Sequence, residues 1–182
     1  MTDTGRAIRL FHFEAYIFPD PAEQLTFHPE NDGQLFLQMA EYNFLVNTSQ
    51  DLARLNRLSP PSTACNCHGW VFADGKFLVE EADVESLLAD NRYQPVPFPK
   101  KGDIAIYFND GRAAHSGVVR FSTDSGTVVI ESKWGPFGVF AHSPVAHPFS
   151  GQCRYYRSSR IGHALKIVPL NGQVTSRVSV ER

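Results

Sequence analysis

The sequence predicts an α+β domain in which helices come first and an antiparallel sheet follows. Three observations carry this. Gln34 to Val46 is a dense apolar stretch, long enough to prefer a buried helix over a strand. From Ile104 onward, short runs with period-2 alternation are separated by the turns Asn109-Asp110-Gly111 and Thr123-Asp124-Ser125-Gly126. Between them stands Cys65-Asn66-Cys67-His68-Gly69-Trp70-Val71-Phe72, where a thiol sits at the point at which a turn gives way to an apolar run.

Taken in order, Arg9 to Phe18 alternates Phe11, Phe13, Ala15 and Ile17 against His12, Glu14 and Tyr16, a half-buried strand ended by Pro19-Asp20-Pro21. His12 and His28 lack a convergent ligand pattern and read as structural. Leu35, Phe36, Leu37, Met39, Ala40, Tyr42, Phe44 and Leu45 fill the first helix. Leu52 to Leu58 reads as a further helical piece, stopped by Ser59-Pro60-Pro61-Ser62 because proline disfavours helical geometry at the residue before it. A helix begins near Cys67 with Asn66 or a neighbour as its cap, and Glu80 to Asn91 is a short amphipathic helix with an acidic start.

Asn91 to Lys101, with Pro95, Pro97 and Pro99, is an extended connector. Strands are expected over Ile104 to Phe108, His115 to Phe121, Thr127 to Trp134, Gly138 to His142 and Gln152 to Arg157, with a last one at Ala164 to Val168. The division that follows is an N-terminal strand and helix extension packed on the core (1–62), a core domain (63–170) and a polar tail (171–182).

Composition narrows the function classes. Seventeen Lys plus Arg against nineteen Asp plus Glu give a formal charge of -2 with no basic cluster, so neither nucleic acid nor an anionic membrane is an expected partner. No apolar run approaches the roughly 20 residues of a membrane span, and Met1-Thr2-Asp3-Thr4-Gly5 lacks a basic start and apolar core, so a cytoplasmic location is expected. Export by a dedicated secretion system leaves the same appearance. Three cysteines, two of them one residue apart, make a poor disulfide framework and read as reduced thiols. Cys153 reads as a buried strand thiol.

The chemistry suggested by Cys67 and His115 is nucleophilic catalysis. A thiol with pKa near 8.5 is only about 3% thiolate at pH 7, and thiolate is the attacking species. A helix start and a nearby imidazole raise that fraction, and the helix-start N–H groups can hold an oxyanion. Cys65 is the rival thiol, read as a loop residue because the apolar run starts after Cys67. Cys65, Cys67 and His68, with His115 or His142, offer metal ligands, but Cys-x-Cys-His lacks the two-residue gap of common zinc knuckles, so neither metal nor cofactor is expected.

These residues resemble a family. Asn66-Cys67-His68-Gly69-Trp70-Val71 is similar to the Asp-Cys-Ser-Gly-Phe-Val signature of the NlpC/P60 papain-like cysteine peptidases and amidases. Gly102-Asp103-Ile104-Ala105-Ile106-Tyr107-Phe108 resembles their Gly-Asp-Leu-x-x-Phe strand, and His115-Ser116-Gly117-Val118-Val119 their His-Val-Gly-Ile-Tyr. The likeness spans Thr63 to Tyr156. It implies a papain-like fold, Cys67 as nucleophile at a helix N-terminus, His115 as base, and a third residue on the next strand to orient the imidazole. Glu131, in Val129-Ile130-Glu131-Ser132, takes that place, with Ser132 and His142 as alternatives.

Trp134 is a candidate to wall the cleft and grip a substrate, with a core indole closing the hairpin as the other reading. Asn66 and His68 flank the nucleophile as further substrate-contacting candidates. Asp103 reads as a turn holder. Asn66 and His68 replace the family's usual acid and serine, and nothing before Pro60 matches a cell-wall-binding module, so peptidoglycan is not implied. The expected activity is hydrolysis of an amide or other acyl bond in a peptide, amide or acyl substrate. The alternatives are a non-catalytic binding module of the same fold, or an acyltransferase or deacylase of the superfamily.

Overall fold

Alternating apolar residues commit the second half of the chain to strands that bury both faces. The computed structural model describes residues 1–12, 16–17, 26–27, 33–48, 54–149 and 151–167. In chain order the elements are β1 (Tyr16–Ile17), β2 (Thr26–Phe27), α1 (Gln34–Asn47), β3 (Asn56–Arg57), α2 (Cys67–Phe72), a 3-10 turn (Glu81–Asp83) leading into α3 (Val84–Asp90), β4 (Gln94–Val96), β5 (Ile104–Asn109), β6 (Arg112–Ser122), β7 (Val128–Lys133), β8 (Val139–His142) and β9 (Gln152–Arg157).

Seven of these strands form one sheet in the order β3-β8-β7-β6-β5-β9-β4, every neighbouring pair antiparallel. β1 and β2 pair separately. Mixed helix and antiparallel sheet is the α+β class. The β5–β6 hairpin turns on Asp110 and Gly111, both at positive φ, the geometry that matches strand twist and that the Asn-Asp-Gly sequence is suited to.

Period 2 divides the sheet's side chains into two sets. Ile104, Ile106 and Val118 face α2 and α3, packing on Val71, Phe72, Val84 and Leu87. Ala105, Tyr107, Val119 and Ile130 form a second cluster on the opposite face. A third gathers Trp134, Phe137 and Phe140 with Ala40, Phe44 and Leu45 of α1.

The helical reading of Leu52 to Leu58 is corrected in its second half: Asn56 and Arg57 pair with Ala141 and Phe140 as an edge strand, because partners on β8 override the local apolar count, while Arg54 lies in a 3-10 turn and 52–53 lie outside the described residues. The segment before residue 63 therefore supplies part of the main sheet. The extended connector contributes β4. No strand forms over 164–167; Leu165 is instead buried, its N–H donating to the Phe72 carbonyl. Of the strand expected from Arg9 to Phe18, Phe11 bridges Leu78 and β1 is formed, and 13–15 and 18 lie outside the described residues, as do His28, Val168 and the tail 171–182.

One glycine decides how closely α2 docks. A Cβ on Gly69 would lie 1.7 Å from the Phe77 carbonyl oxygen, a backbone atom with no freedom to yield. Gly69→Ala is expected to cost about 3 kcal/mol or more through overpacking, or to prevent folding. Equilibrium urea unfolding checks this, and a midpoint equal to the wild type's would sink it.

Candidate functional site

The short helix α2 is held by its cap. Asn66 is extended (φ -90°, ψ -175°) and its Oδ1 accepts from the Gly69 N–H at 2.8 Å and the Val79 N–H at 3.2 Å, while its Nδ2 donates to the Val79 carbonyl at 2.9 Å. Every hydrogen-bonding arm of Asn66 seen here points into the fold. It is thus a structural residue rather than the substrate contact expected. Cys67 follows at the first helical position and is 7% exposed.

His68 is also spent internally. Its Nδ1 meets the Ser116 hydroxyl at 3.0 Å, and the Ala113 backbone favours its charged form, so the ring ties α2 to β6. Burial lowers its pKa to about 4, the Ala113 bond opposing. A neutral, sealed ring of this kind is a tether and not the substrate contact expected.

Lys133, at the end of β7, was not singled out by the sequence, and its charge acts on both Cys65 and Cys67. Its Nζ donates to the carbonyls of Ser62 at 2.6 Å, Gly135 at 2.7 Å and Phe137, which uses all three of its hydrogens. Burial lowers its pKa to about 8, with the charged forms of Cys65, Cys67 and the Glu41 carboxylate pulling the other way. Burial likewise raises Cys65, with Lys133 opposing. A lysine ending a strand before Trp-Gly-Pro reads by default as solvent-facing, so only its contact with Ser62, 71 residues away, reveals it.

Glu41 of α1 supplies the balancing charge. Its Oε1 accepts from the Gly138 N–H at 2.6 Å and its Oε2 pairs with Arg57 at 2.8 Å. Burial raises its pKa, opposed by Gly138, Arg57 and Lys133.

The structure does not join His115 to Cys67 by a hydrogen bond. Ser116 faces α2, so the pleat sends its neighbour His115 to the other face of β6, where it lies opposite Tyr107. There the imidazole is fully buried and stacked on Phe149, ring centroids 3.7 Å apart. Both of its nitrogens lack a hydrogen-bond partner among the described residues. Burial holds it well below the usual histidine range, and His142, His68 and His147 oppose its protonation further.

Glu131 does not orient that imidazole. It pairs with Val118 across the β6–β7 ladder, on the face opposite His115, and its carboxylate takes both Arg120 N–H groups at 2.6 and 2.8 Å. The register decides this, since Val118 lies three residues from His115 and so on the other side of the pleat.

The alternatives for the third position bond to each other instead. Ser132 donates to His142 Nε2 at 2.8 Å, His142 Nδ1 donates to the Ser143 carbonyl at 2.8 Å, and Trp134 Nε1 donates to Ser132 Oγ at 2.9 Å. Burial lowers His142 to about 4. Trp134 is 1% exposed and packs on Phe140, so it is the core indole and not a cleft wall.

Asp103 holds its turn, accepting from the Lys100 N–H and bidentately from Arg157. Cys65, Cys67 and Cys153 are all thiols, and burial raises Cys153 to about 11. Among the described residues no group of three or more His, Cys, Asp or Glu side chains is placed to hold a metal ion, and no helix is long and apolar enough to cross a membrane.

Two neutral buried imidazoles make stability acid-sensitive. An unfolded histidine titrates near 6.5, whereas His68 and His142 titrate at about 4 when folded. Between those values the unfolded chain binds more protons, so stability is full above about 6.5 and falls as pH drops towards 4, by on the order of 1–3 kcal/mol per ring. Thermal melts between pH 7.5 and 4.5 should show Tm falling by about 5 °C or more, with a smaller fall in His68→Gln. Equal falls in the two proteins would remove His68 from this account.

No protein-family model matches this chain, and neither does any curated protein or solved structure.

Proposed function

We propose that the protein is a thiol-dependent acyl hydrolase, cleaving an amide or other acyl bond through Cys67, with a papain-like fold of the NlpC/P60 type and a cytoplasmic location. The observation that carries this reading is the Lys133 ammonium, fixed by three carbonyls and interacting with the charged forms of Cys65 and, after it, Cys67. A fixed cation favours the thiolate over the thiol, which is the demand that nucleophilic catalysis makes. With α2 only six residues long, the charge that matters is the lysine's rather than a helix dipole's.

In this reading the Cys67 thiolate attacks the substrate carbonyl, the C–N or C–O bond breaks as the leaving group takes a proton from solvent water, and a second water hydrolyses the thioester, returning the acyl group as its acid and Cys67 as the thiolate. His115 stays out of the step, since it lies on the far face of β6. Cys65, raised by burial, remains a thiol.

A second reading, a non-catalytic binding module, is favoured by one observation. The motif's histidine is sealed beneath Phe149 and makes no hydrogen bond among the described residues.

Alkylation by iodoacetamide, followed at each cysteine by mass spectrometry at pH 7, separates the two. The hydrolase reading expects Lys133→Met to slow alkylation of Cys67 about tenfold and His115→Ala to leave it within about twofold. A rate at Cys67 indifferent to Lys133 supports the binding module.

Turnover gives the second check. On a panel of peptide, amide and ester substrates, Cys67→Ala should lose all hydrolysis, while Cys65→Ser keeps most of it. Hydrolysis that survives Cys67→Ala would overturn the assignment.

A further inference from the structure

α1 is apolar on two sides, and only one of them packs into the core among the described residues. Its inner side contributes Leu37, Ala40, Phe44 and Leu45 to the core, with Glu41 neutralised by Arg57. On its outer side Leu35 is 69% exposed, Met39 59%, Tyr42 63% and Val46 50%. These four recur at spacings of 4, 3 and 4, which at 100° per residue places them within about 60° of one another as a single seam.

The polar residues beside the seam are amides, Gln34 and Gln38 on one half and Asn43 and Asn47 on the other, all exposed. Glu41, the one charged residue of α1, faces inwards.

The outward pattern is also palindromic. Reflected about the helix midpoint between residues 40 and 41, Leu35 maps onto Val46, Met39 onto Tyr42 and Gln38 onto Asn43. An antiparallel second copy of α1 therefore places Leu35 level with Val46 and Met39 level with Tyr42 along the seam, with uncharged amides flanking it on both sides. That is the self-complementarity a two-fold interface requires. A face without charge offers nothing to an acidic or basic partner and no cation to a membrane surface, whereas it meets its own copy without like-charge repulsion.

We propose that this face is the interface of a homodimer, with α1 packed antiparallel on α1 of a second copy about a two-fold axis at the helix midpoint. The four seam residues expose roughly 500 Å² per copy, on the order of 1,000 Å² for a pair, which lies at the threshold of a specific interface and fits a weak, concentration-dependent dimer.

Sedimentation velocity of the whole chain from about 1 to 500 µM tests this. The expected result is a shift from the 20.4 kDa monomer to a species of twice that mass. Met39→Glu and Tyr42→Lys, each on an exposed position and each with wild-type circular dichroism, should weaken the dimer at least tenfold. The double variant Met39→Glu/Tyr42→Lys should restore it, because the new carboxylate of one copy then meets the new ammonium of the other. A monomer at every concentration, a dimer that survives Met39→Glu, or co-sedimentation of a monomer with neutral phosphatidylcholine vesicles through this face would each overturn the proposal.

Discussion

A buried ammonium has to find acceptors, and Lys133 finds three backbone carbonyls in two separate stretches of chain. Two belong to the turn that carries β7 into β8, and the third, Ser62, belongs to the loop that delivers Cys65, Asn66 and Cys67 to α2. One cation thereby sets the β7–β8 turn, fixes the entry to the short helix and brings positive charge to the thiols. Glu41 balances it from α1, and through Gly138 and Arg57 the same carboxylate ties α1 to β8 and β3. Burying such a group is unfavourable unless its hydrogens and its charge are both answered, and this arrangement answers both.

The histidines follow a different logic. His68 and His142 are neutral because burial makes the charged form expensive; each bonds a serine through one nitrogen, and His142 uses the other as donor to the Ser143 carbonyl. A neutral imidazole is suited to that pairing, since it carries one donor and one acceptor on opposite edges. His68 with Ser116 joins helix to sheet, and His142 with Ser132 and Trp134 joins neighbouring strands. His115 has no such pairing among the described residues and sits between Tyr107 and Phe149 as an aromatic among aromatics.

Much of the architecture was legible in the residues. The length and density of the apolar run over 34–46 specify α1, the Asn-cap before Cys67 specifies the start of α2, and period-2 alternation with Asp-Gly and Ser-Gly turns specifies β5 to β7 and β9. Gly69 and Gly117, both in the motif segments, have a steric reason to be glycine, the first against the Phe77 carbonyl and the second against Ile130 and Ser132. β3 was not legible, because two residues of strand carry no periodicity and depend entirely on β8 for their hydrogen bonds.

Local sequence therefore determined the longer helices and strands, where α2 begins and that its first residue is a thiol, since capping, periodicity and turn chemistry act over a few residues. Only the tertiary structure decided what surrounds that thiol. The pleat of β6 assigns Ser116 rather than His115 to the α2 side, the β6–β7 register gives Glu131 to Arg120, and a fold-back of some seventy residues brings Lys133 to Ser62. Those outcomes rest on strand parity and on contacts between distant segments, and a one-residue change of register would exchange the two faces of the sheet.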